Sequence, residues 1–177
     1  MATTETQPYR IIKTEKDFEI RLYPSATMAS ISMNAKTYKE LSSSGFRKLA
    51  SFIFGGNEAN KNIAMTSPVH MDINDQRSSM SFVMPASYNK DNLPKPNNSS
   101  ITIETTAEEY AATIQFGGYA NDNEIKKYAS KLESALKSKG IEYHGNFRFL
   151  GYDPPYKFWG RKNEIIVSVR WKDIKSE

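Results

Sequence analysis

The sequence predicts an α+β fold of two similar halves, each built from antiparallel strands and one helix. Short runs with period-two alternation recur along the chain, two longer segments change to helical spacing, and glycine pairs and prolines punctuate both halves in a similar order. Two such halves joining their strands make one curved sheet with both helices on its outer side, and strong curvature leaves a groove.

Tyr9-Arg10-Ile11-Ile12 and Phe18 to Tyr23 read as a hairpin around a polar break at Thr14 to Asp17. Pro24 ends the second strand because it has no amide to donate. Ala26 to Met33 is a third strand, with Met28, Ser30 and Ser32 on one face and Ala29, Ile31 and Met33 on the other. From Tyr38 the period lengthens: Tyr38, Leu41, Phe46, Leu49, Phe52 and Ile53 make a helical stripe that Gly55-Gly56 stops. Ile63 to Val69 is extended with Pro68 at an edge or bulge, Ser79 to Met84 is a strand, and 85–100 is the longest loop and the midpoint of the fold.

The second half repeats this outline. Ile101 to Thr105 and Tyr110 to Phe116 read as strands, and Gly117-Gly118 breaks the run. A helix follows, with Asn121 as cap, Glu124 completing the box, and Ile125, Tyr128, Leu132 and Leu136 as its buried stripe. Phe147 to Gly151 and Glu164 to Trp171 are strands, the last burying one side only. Between them the Asp153-Pro154-Pro155 turn, bracketed by Tyr152, Tyr156, Phe158 and Trp159, reads as a packed structural corner, with Tyr152 and Trp159 as secondary candidates for ligand contact.

With 177 residues and 38% hydrophobic content the chain supports one core. A single domain at 9–172 is expected, with a flexible N-terminus at 1–8 and a tail at 173–177. A net charge of +4, spread without an arm or stripe, argues against nucleic acid as a partner. The absence of cysteine removes disulfides, thiolate metal sites, iron-sulfur clusters and cysteine nucleophiles. No leader and no run near the ~20 apolar residues of a membrane span is visible, so a soluble, cytoplasmic protein is expected.

His70 and His144 are the only histidines, and each reads as an ordinary surface or half-buried side chain rather than a ligand. Glu19, Glu104, Glu108, Glu109 and Asp153 read as solvated surface charge. Metalloprotease, serine-hydrolase, phosphate-loop and EF-hand patterns do not occur, so no catalytic or metal residues are assigned.

Several stretches, in one order from Tyr9 to Trp171, resemble the SOUL haem-binding family. They are Phe18-Glu19-Ile20-Arg21-Leu22-Tyr23-Pro24, Gly45-Phe46-Arg47-Lys48-Leu49 through Gly55-Gly56-Asn57-Glu58, Ile63-Ala64-Met65-Thr66-Ser67-Pro68-Val69, Phe82-Val83-Met84-Pro85, Gln115-Phe116-Gly117-Gly118, Gly151-Tyr152-Asp153-Pro154-Pro155 and Arg161-Lys162-Asn163-Glu164. The Met-Thr-Ser-Pro-Val block is the most specific. The resemblance implies a distorted antiparallel β-barrel of two halves with two helices outside, and haem or another tetrapyrrole held at a hydrophobic surface without catalysis. Some members carry a histidine, proposed to ligate iron, where this chain has Leu22, so that route to axial ligation is closed.

The matching surface in this chain is the first helix, and the candidates are Phe46, Leu49, Ala50 and Ile53 for the porphyrin face, with Arg47, Lys48 and Arg77 for its carboxylates. Against this, Phe46, Leu49 and Ile53 at helical spacing read as the core stripe of an amphipathic helix, with Ala50, Phe54 and Arg47 pointing outward instead. The competing expectation is a small-molecule effector-binding or detoxifying module, like the ligand domains of bacterial multidrug regulators, which calls for an acidic residue inside the groove. A third, an interaction scaffold, calls for a filled groove and an exposed apolar patch.

Overall fold

The computed structural model describes residues 4–154 and 156–172. In chain order the elements are β1 (Glu5–Thr6), β2 (Arg10–Thr14), β3 (Glu19–Tyr23), β4 (Thr27–Met33), α1 (Tyr38–Ile53), β5 (Thr66–Ser67), β6 (Val69–Asp72) and β7 (Ser78–Val83). They continue with β8 (Ile101–Thr105), β9 (Glu109–Phe116), α2 (Asp122–Ser138), β10 (Tyr143–Gly151) and β11 (Asn163–Val169). The α+β class and the two strand-plus-helix halves are as expected. The described residues form two compact units, one comprising those up to Gln7 together with Ser25–Ala107, the other Pro8–Pro24 together with those from Glu108 onward.

The boundary between halves differs from the expected one in the 85–100 loop. β8 pairs with β4 and so belongs to the first unit, whereas the β2–β3 hairpin pairs through β3 with β9 and belongs to the second. Hydrophobic period identifies strands but not their partners, and sequence order is a poor guide where a hairpin is exchanged.

In the first unit the strand order is β6-β7-β4-β8, and β1 lies parallel to β5. Ala29 and Ile31 of β4 stand opposite Phe82 and Met80 of β7, which puts these apolar side chains on the face that α1 covers. Helix α1 starts where Thr37 Oγ1 accepts the Glu40 amide and Glu40 reaches back to the Lys36 amide. Its buried stripe is Leu41, Gly45, Leu49, Ala50, Phe52 and Ile53, and each large side chain removed from water stabilises by about 1.5–3 kcal/mol.

The end of α1 is fixed by the Gly55-Gly56-Asn57 turn. Asn57 Nδ2 donates to the Phe52 and Lys61 carbonyls while its Oδ1 accepts the Ala59 and Lys61 amides. Gly56 is required there because a Cβ would meet the Ser51 carbonyl oxygen at 2.5 Å. Pro68 stands between β5 and β6, after a cis Ser67-Pro68 bond, rather than at a bulge within one strand.

In the second unit the order is β2-β3-β9-β11-β10. In neither unit does the order close into a ring. Asn121 Oδ1 accepts the Glu124 amide to start α2, whose Tyr128 stacks on Phe116 of β9 at 4.4 Å between centroids. The half-buried Ile125 and Tyr128 and the buried Leu132 and Leu136 form its inner stripe. Contrary to expectation, β11 is buried on both faces, because α2 lies over the sheet on one side and Ile166 joins Tyr23, Ala111 and Leu150 on the other. A strand buried twice shows a continuous apolar run rather than alternation.

Candidate ligand-binding surface

At about 100° per residue, Phe46, Ala50 and the cap residue Phe54 follow one another along a flank of α1, at the margin between its buried stripe and solvent. Phe46 is 43% exposed and Phe54 65% exposed. The Phe46 ring also leans on Phe82 of β7 at 5.4 Å, so it is supported from below while its outer face stays open. Arg47 leaves the helix beside this stripe and is exposed. Lys48 is exposed too, but lies about 200° around from Phe46, at the opposite margin.

Leu49 and Ile53 lie in the core at 0% and 1% exposure, beneath the stripe rather than on it. Ala50 is almost covered. Arg77, at the turn before β7, is exposed and donates through Nη2 to the Ser32 carbonyl at 3.1 Å. Of the expected set, then, Phe46, Arg47, Lys48 and Arg77 reach solvent, and Phe54 joins them.

The second unit holds a polar cluster that sequence reasoning did not identify. Arg21 of β3 and Glu164 of β11 form a bidentate pair, Nη1 to Oε1 at 3.0 Å and Nη2 to Oε2 at 2.5 Å, both almost fully buried. Arg21 Nε donates to Glu19 at 3.0 Å and Nη1 to the Tyr23 hydroxyl at 2.9 Å. Tyr152 donates its hydroxyl proton to Glu164, and the Tyr9 ring lies 4.0 Å from the guanidinium. Burial opposes the charge on Arg21, yet Glu164 and Tyr23 outweigh it and raise its pKa above the usual value. Burial, aided by the Glu164 carboxylate, raises the Tyr23 and Tyr152 phenols well above the ordinary range, with Arg21 opposing.

These donors and acceptors satisfy one another, so the cluster is a structural joint between β3 and β11. An arginine next to Leu22 in an alternating strand offered no sign that it turns inward. Glu164 is flanked by Asn163 and Ile165, and only the double burial of β11 explains it.

Other expectations need correction. His70 is buried, with Nε2 2.7 Å from Gln7 Oε1, whereas His144 on β10 is exposed. Glu109 is tied to Arg148 and the Ser168 hydroxyl, and Glu19 to Arg21, so neither is free surface charge. Asp153 accepts the Lys162 amide and pairs with Lys157; these outweigh burial and hold its carboxyl below the usual range. The aromatic corner is not packed as a whole. Tyr152 is, but Tyr156, Phe158 and Trp159 are 78%, 75% and 79% exposed, and Pro155 lies outside the described residues.

Among the described residues, no three His, Asp or Glu side chains converge in a way that could hold a metal, and no helix is long and apolar enough to cross a membrane.

Comparison with known proteins bears on the whole chain. A family model described as SOUL heme-binding protein matches residues 4–168. Heme-binding protein 1 of Xenopus laevis is 32% identical, the match covering 88% of this chain and 86% of that protein. The Bos taurus heme-binding protein 1 is 29% identical over 92% and 91% of the two chains, and human heme-binding protein 2 is 28% identical over 84% and 76%. Among solved structures, the C-terminal domain of EcmrR superposes with a TM-score of 0.63 at 12% identity, covering 93% of this chain and 99% of that one. A hydrolase from Listeria innocua superposes with a TM-score of 0.60 at 7% identity, covering 89% and 94%. At such identities these two structures speak for the fold alone, whereas the family model spans nearly every element described above; the chain belongs to the SOUL heme-binding protein family.

Proposed function

We propose that the protein binds haem or another tetrapyrrole non-covalently on the outer flank of α1, as a carrier, buffer or sensor in the cytoplasm and not as an enzyme. The observation that carries this reading is the Phe46–Ala50–Phe54 stripe, where two phenyl side chains stay open to solvent although the sheet already fills the helix's inner face. A flat apolar ring gains about 25 cal/mol for each Å² it covers, and its carboxylates favour guanidinium and ammonium partners. Arg47 beside the stripe supplies such a cation, while Lys48 at the opposite margin of α1 and Arg77 at the turn before β7 lie farther from it. Leu49 and Ile53 act from beneath by holding the shelf in place. Membership in a family whose relatives are named heme-binding proteins supports the choice of ligand.

The residues on α1 fit face contact better than iron ligation. Leu22 offers no nitrogen, and His70 Nε2 is engaged with Gln7. Bound haem brings a redox-active, Lewis-acidic iron; the chain contributes apolar area, charge and exclusion of water from one face. The effector-binding reading needs a carboxylate open to a cationic guest, and the buried Glu164 is already neutralised by Arg21. Under the proposal a lipophilic cation does not displace haem.

Titration with hemin and with iron-free protoporphyrin tests this. Similar affinities are expected for the two, falling about tenfold when Phe46 and Phe54 both become Ala and several-fold for Arg47→Gln. Strong preference for hemin would overturn face contact in favour of an iron ligand, and binding of neither would remove the proposal.

A further inference from the structure

Three of the four aromatic side chains in the loop between β10 and β11 are more exposed than Phe46 and Phe54 on α1. Tyr156, Phe158 and Trp159 are each about three-quarters exposed, with Tyr119 half exposed nearby. A side chain lining a groove is covered on one side by its neighbours; one this exposed protrudes.

The loop is nevertheless firmly braced. Arg161 Nη1 donates to the Pro154 and Lys157 carbonyls at 2.6 and 3.0 Å, and its guanidinium stacks 4.1 Å from the Tyr119 ring centroid. Tyr119 donates its hydroxyl proton to the Lys157 carbonyl at 3.2 Å. Asp153 bridges Lys157 and the Lys162 amide at 2.9 and 2.6 Å, and Gly160 takes the left-handed turn at φ 63°. Backbone and cation contacts thus hold the aromatic rings outward. The same segment carries Lys157, Arg161 and Lys162 against Asp153 alone.

We infer that this loop docks the protein on a bilayer surface containing anionic lipid, with Tyr156, Phe158 and Trp159 entering the headgroup layer. Tyr and Trp prefer that layer because one part of each ring is apolar and another polar. Cations beside them are drawn to anionic headgroups, and a medium that surrounds a side chain from every direction is what a protruding ring can enter. A protein partner is less well matched. A standard interface covers about 800 Å² on each side, whereas among the described residues of this unit the exposed large hydrophobics besides Ile11 are confined to this loop and Tyr119. Among the described residues no helix is long and apolar enough to cross a membrane.

The test uses the full chain carrying Trp171→Phe, which leaves Trp159 as the sole tryptophan. Vesicles of phosphatidylcholine mixed with phosphatidylserine are expected to shift Trp159 emission to the blue and to expose it to quenching by brominated acyl chains, with added salt reversing the effect. In the wild-type chain, replacing Tyr156, Phe158 and Trp159 together by Ala should lower vesicle cosedimentation at least about tenfold, and Lys162→Gln about fivefold, while hemin titration stays unchanged. Absence of a spectral shift would overturn the inference, as would undiminished cosedimentation of the triple variant. Loss of hemin binding by that variant without vesicle binding by the wild type would also overturn it and assign the loop to ligand capture.

Discussion

Arg21 and Glu164 are buried at 2% and 0% exposure, so removing either alone leaves a charge without its partner. Arg21→Met is expected to cost about 3–5 kcal/mol in urea unfolding, and the double change Arg21→Met with Glu164→Leu much less, since an apolar pair needs no desolvation offset. A double change as costly as the single one would show that Glu19 and the tyrosines, not the ion pair, set the energy. Tyr23 and Tyr152 add a pH dependence at the alkaline end. Their folded pKa values lie above the ordinary one, so above about pH 10 the unfolded chain gives up protons that the folded chain retains. Stability is therefore full below that pH and falls as pH rises through it. A urea midpoint followed against pH should show the fall, and Tyr152→Phe should flatten it. None of this was legible in the sequence, because alternation marks which side chains share a face and is silent on whether both faces are covered.

At the scale of elements, the helices were the most legible part, since caps and stripes are local. Asn121 and Glu124 name the start of α2 outright, and Asn121→Ala is expected to cost about 1 kcal/mol. Gly56→Ala is expected to cost more when both variants are compared by thermal melting, because its Cβ would meet backbone at 2.5 Å rather than a movable side chain. Equal losses would mean that the turn after α1 adjusts. On α1 the helical stripe was legible, and so was the core role of Leu49 and Ile53 and the outward side chain of Phe54; Phe46, which the same spacing groups with the core, is the exception. Leu49 and Ile53 lie inside and Phe46 and Phe54 outside, a difference fixed by where β7 and β4 meet the helix. The aromatic segment after Gly151 failed for a related reason: composition shows a cluster of rings, and only the bracing by Arg161 and Asp153 shows that they face outward.

For the molecule as a whole, strand content and fold class could be read from period and punctuation, while the assignment of strands to units could not. The β2–β3 hairpin belongs with β9, in register from Glu19 opposite Thr113 to Tyr23 opposite Glu109. Native-state hydrogen exchange is expected to show the β3 amides opening with the same free energy as those of β9, separately from β4 and β7. Opening together with β4 would contradict the division. The same exchange has a consequence for synthesis. A ribosome releases the hairpin first, then all of the strands around α1, and only afterwards the strand the hairpin needs. By the end of that interval the nascent chain carries an orphaned ribbon although every strand of the other unit has been made. Slower synthesis anywhere between β3 and β9 would prolong the wait, and a holding chaperone would reduce the risk by shielding the ribbon's bare edge.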